Sequence, residues 1–139
     1  MNGTMEDLGI EVPELNFIGG LAGFPEARRF VLSKWGGDDS PFSLMQSLED
    51  PELAFLVVPP AVFFPDYQPE IDDETAARLN ISDSDDALIL VMITVGEAVK
   101  EATANLLGPL VINRHSNEAS QVILTESGYD LRTPVLHLS

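Results

Sequence analysis

The sequence predicts a mainly β fold, a single-domain antiparallel β-barrel-like structure of roughly eight short strands with one or two short helices. Three observations carry this. Short apolar or alternating runs follow one another along the chain. Glycine- and proline-marked turns separate them about every ten residues. Only one segment carries helix signals at both ends, so the alternation of strand and helix that βαβ units require is missing. A chain of 139 residues is one domain in size. Folding at that size buries about two-thirds of the unfolded surface, enough for a core without staples. The domain is expected over residues 15–139, after a flexible leader at 1–14 that is polar, rich in glycine and proline, and without a period.

The elements follow in order. Leu15–Ile18 reads as a short strand, and Gly19–Pro25 as a glycine-rich loop. Arg28–Trp35 alternates, with Phe30, Leu32 and Lys34 on one parity. A turn at Gly36–Pro41 leads into a strand at Phe42–Leu48. Leu53–Val58 is apolar on both parities, which suits a central strand covered on both faces. It sits in the middle of Phe42–Tyr67, the stretch around which the chain is organised, and Pro59-Pro60 end it. Phe63-Phe64 read as strand residues on opposite faces, with Phe64 or Tyr67 the exposed aromatic.

Asp72–Leu79 is the helix: Asp72 caps it, carboxylates fill its first turn, and Arg78 lies near its end. It is short, so packing by Ile71 and Leu79 must hold it. Ile81–Asp86 is a loop and Ala87–Val95 the most apolar strand. Val99–Leu107 reads as either helix or strand. After the break at Gly108-Pro109, Leu110–Asn113 and Ser120–Thr125 form a hairpin around Arg114–Glu118, and Tyr129–Leu138 closes the chain.

Charge is the strongest compositional signal. The net charge is −16 with seven basic residues. Residues 49–86 hold eleven carboxylates against Arg78 alone, ten of the sixteen net charges. Direct nucleic-acid binding is disfavoured, because a polyphosphate needs Lys and Arg to displace its counterions. A basic protein partner fits the field instead. No cysteine is present, which removes disulfides and thiolate chemistry. The longest apolar run, Ala87–Val95, is too short to span a bilayer as a helix, so no membrane association is expected. Five carboxylates (Glu6, Asp7, Glu11, Glu14 and Glu26) and no basic residue precede Arg28, unlike an export signal, and the expected location is the cytoplasm.

No motif for catalysis or cofactor binding emerges. The glycine-rich loop lacks P-loop and dinucleotide spacing. Asp83-x-Asp85 begins like an EF-hand, but Ala87, Leu88 and Thr94 stand where it needs a ligand, a glycine and a glutamate. His115 and His137 lie in turn or terminal segments without metal-ligand spacing. Asn105, within an apolar stretch, is expected to satisfy backbone groups. The residues thus favour a binding protein, with no cofactor and no metal.

Several ordered pieces resemble the flagellar assembly factor FliW family: Gly20–Phe24, Phe42–Asp50, Leu53–Val58, Phe64–Tyr67, Ile93–Val95, Thr103–Asn113, Gln121–Leu124 and Tyr129. The likeness spans most of residues 15–134, with Gly108 where the family more often has alanine. It implies a compact, mostly antiparallel β-barrel-like fold without enzymatic activity. It also implies cytoplasmic binding of flagellin and of CsrA, a small basic dimer that represses flagellin mRNA translation. Flagellin and CsrA compete in that scheme, and capture of CsrA releases the message. The physical reading supplies the candidate contacts. Glu49, Asp50, Asp66, Glu70, Asp72 and Asp73 would attract a basic partner, and Phe64 and Tyr67, with Phe63 beside them, would supply apolar contact. The alternatives are a small acidic carboxylate-dependent enzyme or ligand-binding barrel, and an acidic structural domain with no charge-dependent partner.

Overall fold

The computed structural model describes residues 14–95, 101–125 and 127–135. It contains nine strands: β1 Glu14–Phe17, β2 Arg29–Lys34, β3 Ser43–Ser47, β4 Ala54–Val58, β5 Ala87–Thr94, β6 Thr103–Ala104, β7 Leu110–Asn113, β8 Glu118–Gln121 and β9 Thr133–Pro134. Among the described residues one α-helix, α1, spans Asp73–Arg78, and 3₁₀ turns occupy Pro60–Val62 and Ser84–Asp86. The sheet runs β4-β3-β2-β1-β8-β7-β5, and pairing of β4 with β5 closes those seven strands into a barrel. β6 and β9 extend outward from the end of β5. All pairings are antiparallel except β1 with β8, joined through Asn16↔Glu118 and Phe17↔Ala119. That parallel seam links strands a hundred residues apart, which no local pattern announces.

Alternation along β4 and β5 builds two cores. On the inner face, Val57 and Leu90 join Leu15, Phe17, Phe30, Met45, Leu110, Ile112 and Ala119, with Phe55, Leu88 and Met92 packed against them. On the outer face, Val58, Val91 and Ile93 join Phe42, Ala102, Ala104, Leu106 and Val135. β4 is therefore covered on both sides, as its double-parity apolar run predicts. Phe30 and Leu32 face inward from β2, while Lys34, on the same parity, reaches solvent at the strand's end.

α1 begins as expected: the Asp72 side chain accepts a hydrogen bond from the Thr75 N–H at 3.1 Å. Leu79 is fully buried behind it, and the Leu79 carbonyl accepts from Asn113 Nδ2 at 2.7 Å, tying the helix end to β7. Asn80 leaves with a φ of 57°, a conformation asparagine tolerates. In the loop at 19–25, Gly20 has a φ of +74°, and a Cβ there would lie 2.3 Å from the Pro25 carbonyl oxygen. Gly20 thus serves a tight backbone approach.

Some expectations shift. β8 starts at Glu118, two residues before the predicted Ser120, because Asn117 (φ 62°) completes the turn and releases the chain into the ladder. The ambiguous stretch 99–107 supplies the two-residue strand β6, and residues 96–100 lie outside the description. Pro134 is placed at the sheet's outer edge, where its missing N–H costs no ladder bond. The leader expected at 1–14 lies outside the described residues except for Glu14, which opens β1. His137 also lies outside them.

Candidate functional site

The chain from Pro59 to Tyr67 is a folded corner lying on the outer core. Pro59 caps a 3₁₀ turn, and the Pro60 carbonyl accepts from both Phe63 N–H (3.1 Å) and Phe64 N–H (2.7 Å). Phe63 and Phe64 are therefore not strand neighbours on opposite faces. The two prolines end β4, the turn places both rings against the outer core, and both are half-buried. Tyr67 is also half-buried, which corrects the expectation that it or Phe64 is the exposed aromatic. Its hydroxyl donates to the Leu106 carbonyl at 2.6 Å, and its ring meets Tyr129 edge-on at 4.7 Å. The Tyr129 hydroxyl in turn accepts from the Gln68 N–H at 3.3 Å. Burial, with Tyr129 adding to it, pushes the Tyr67 hydroxyl's pKa well above the phenolic range, so it stays a donor.

These rings line a cleft of about 350 Å³ between Phe63, Phe64, Tyr67 and Tyr129, with Leu106 behind and exposed Asp66 beside it. Tyr129 also walls a second, more polar cleft of about 390 Å³ that contains Glu70. An aromatic row leads away from the first cleft. Phe63 lies 5.8 Å from Phe42, and Phe42 lies 6.0 Å from Trp35, which is 50% exposed. Tyr129, Leu106 and Trp35 were not singled out as site residues. Tyr129 stands 62 positions after Tyr67, so only the closed fold brings them together.

The other candidates are placed apart. Asp73 lines a cleft of about 480 Å³ between α1, the 81–84 loop and the outer sides of β5 and β7. Asp72 is occupied as the helix cap, and hydrogen bonds from Thr75, side chain first and N–H second, hold its pKa below the usual carboxylate range. Glu49 and Asp50 border a further cleft of about 420 Å³ with Phe24, Ser47 and Leu53. Glu49 accepts from the N–H groups of Arg29 (3.1 Å) and Arg28 (3.3 Å) and pairs with Arg29 Nε at 3.3 Å. Burial alone would raise its pKa, but these bonds to Arg29 and Arg28 outweigh it and hold the pKa below normal. Asp50 accepts from the Glu52 N–H at 3.1 Å. Glu49 thus fastens β2 to the turn after β3, while Asp50 shapes the turn itself.

The barrel interior is filled. Phe17, Phe30 and Met45 are fully buried inside it. Among the described residues the buried polar side chains are Ser47, Thr75, Asn113 and Ser120, none of them ionisable. Paired carboxylates in a dry pocket, the arrangement that acid–base catalysis needs, do not occur among them. Asp83, the EF-hand-like position, accepts from the Asp85 N–H at 3.1 Å and caps a 3₁₀ turn. His115 is an exposed turn residue whose Nε2 lies 2.9 Å from Asp86 Oδ1. Asn105 accepts from the Gly108 N–H at 2.8 Å, the backbone role expected of it. Among the described residues no helix is long and apolar enough to cross a membrane.

A family model described as FliW protein matches residues 3–135. The chain belongs to the FliW family. It is similar to the flagellar assembly factor FliW of Bacillus subtilis, 38% identical over 119 residues, covering 86% of this chain and 82% of that protein. It is likewise similar to the flagellar assembly factor FliW of Caldanaerobacter subterraneus, 38% identical over 117 residues, covering 84% of this chain and 78% of that protein. A crystal structure of the flagellar assembly factor FliW superposes with a TM-score of 0.83 at 35% identity, covering 91% of this chain and 90% of that one. The closed barrel, with its outer aromatic corner, is thus a FliW fold.

Proposed function

We propose that this FliW protein works in the cytoplasm as a binding regulator without catalytic activity. It binds flagellin and the basic RNA-binding dimer CsrA, and its capture of CsrA relieves repression of flagellin mRNA. FliW family membership supports the assembly role. The observation that carries the charge-dependent part is the exposure of the acidic tract: Asp50, Glu52, Asp66, Glu70, Asp73 and Glu74 all reach solvent. A surface of that sign attracts a basic dimer, speeds encounter, and repels RNA from the resulting complex. The half-buried aromatics at Phe63, Phe64 and Tyr67 supply the apolar contact that an amphipathic flagellin segment needs.

The test is direct binding of purified protein to CsrA and to flagellin at low and high salt. CsrA binding should weaken steeply as salt rises, because exposed charges are screened within about 10 Å at 0.1 M. Neutralising Asp66, Glu70, Asp73 and Glu74 together, while keeping the cap at Asp72, should reduce CsrA binding with the fold unchanged. Absence of a complex with either protein at low salt would remove the proposal. Intact CsrA binding by the neutralised variant would remove the charge-dependent part of the proposal.

A further inference from the structure

We propose that the aromatic cleft beside Asp66 is a receptor for one arginine side chain of a protein partner. This rests on reading the surface as partner-binding and adds the chemical identity of the group received. Four rings line the cleft, and the side chains around it include no basic residue. The walls are fixed in advance. The Tyr67 hydroxyl is committed to the Leu106 carbonyl, and Tyr129 is held by the Gln68 N–H and by its edge-on contact with Tyr67. Four aromatic rings therefore bound the cleft, and aromatic faces carry partial negative charge that attracts cations.

Charge narrows the occupant further. Asp66 is exposed beside the rings, and among the described residues no cationic group pairs with it. Glu70 lines the adjoining cleft that Tyr129 also walls, which adds a second carboxylate to the neighbourhood of the rings. An apolar side chain would fill the rings but leave Asp66 unanswered. An ammonium would answer the carboxylate as a point charge. A guanidinium is planar, stacks on a ring and donates in its own plane to a carboxylate at the same time, which matches aromatic walls with acid at the edge. The net charge of −16 raises the local concentration of such cations around the whole molecule.

The experiment follows the aromatic and backbone NMR signals of the full-length protein during titration with N-acetyl-arginine amide, its uncharged isostere N-acetyl-citrulline amide, and N-acetyl-leucine amide. Saturable shifts centred on Phe64, Tyr67 and Tyr129 are expected with the arginine probe. Citrulline should bind about three-fold or more weakly, the scale of an exposed cation–π contact. Asp66→Asn should weaken arginine binding and leave citrulline unaffected. Equal or stronger shifts from leucine or citrulline, or no shift at these rings up to the probe's solubility limit, would overturn the proposal. The probes need neither CsrA nor flagellin. Failure here would leave a salt-sensitive CsrA complex standing, and failure of that complex would leave the arginine site to be judged on its own titration.

Discussion

The barrel interior and the outer aromatic corner share two strands and differ in how they are sealed. Val57 and Val58 are adjacent, yet one is locked in the barrel and the other lies under Phe63, Phe64 and Tyr67. The interior is closed by ladder hydrogen bonds on every side. The corner is closed by side chains resting on a surface, with the Tyr67 and Tyr129 hydroxyls hydrogen-bonded to backbone groups across long sequence separations and rings left half-buried. Stability is concentrated in the first region, and partly exposed aromatic surface in the second.

The largest expected effect separates the two. Phe30→Ala removes a fully buried ring whose neighbours Phe17 and Phe55 cannot collapse onto the gap, at a cost of about 3–5 kcal/mol. That is a large share of the roughly 5–15 kcal/mol holding a domain together. Phe64→Ala, at a half-buried site, should cost about 1 kcal/mol and leave the urea-unfolding slope unchanged. Its main effect should be on partner binding. Equal losses in urea denaturation would mean that the corner is as much core as the interior.

The interior was the more legible region. Period-two alternation at Phe30 and Leu32, the double-parity run at Leu53–Val58 and the cap at Asp72 are local signals, and the structure matches them. The corner was misread because its geometry comes from Pro59-Pro60 in combination with distant groups. Two prolines signal the end of a strand. They do not reveal that a 3₁₀ turn will place both Phe63 and Phe64 on one surface, or that Tyr129 will stand beside Tyr67. Carboxylate roles were similarly hidden. Glu49 and Asp66 look alike in sequence, but only the fold shows that one is spent on the N–H groups of Arg28 and Arg29 while the other faces solvent.

A smaller effect tests the corner's internal bonding. Tyr67→Phe keeps the ring and removes the bond to the Leu106 carbonyl, so stability should fall by about 1 kcal/mol. Amide exchange at Leu106 and Leu107, both hydrogen-bonded to the Asp130 carbonyl, should speed up. Exchange in β2 and β3 should not change. Faster exchange throughout the barrel would mean that the outer corner and the interior open as one unit.

The smallest effect concerns pH and again distinguishes carboxylates by their partners. Glu49 has a folded pKa below its unfolded value of about 4.3, because backbone N–H groups and Arg29 favour the charged form. A depressed carboxylate contributes stability that is fully present above the unfolded pKa and is lost as pH falls through the folded one. The contribution therefore persists at neutral pH and fades below about pH 4. Glu49 is partly exposed, so solvent screening keeps the effect small. Asp72 shifts in the same direction through Thr75 and loses its contribution over the corresponding acid range. Glu49→Gln should flatten the acid limb of the stability–pH curve. An acid limb left unchanged by Glu49→Gln would mean that Glu49 does not fasten β2 to the turn after β3.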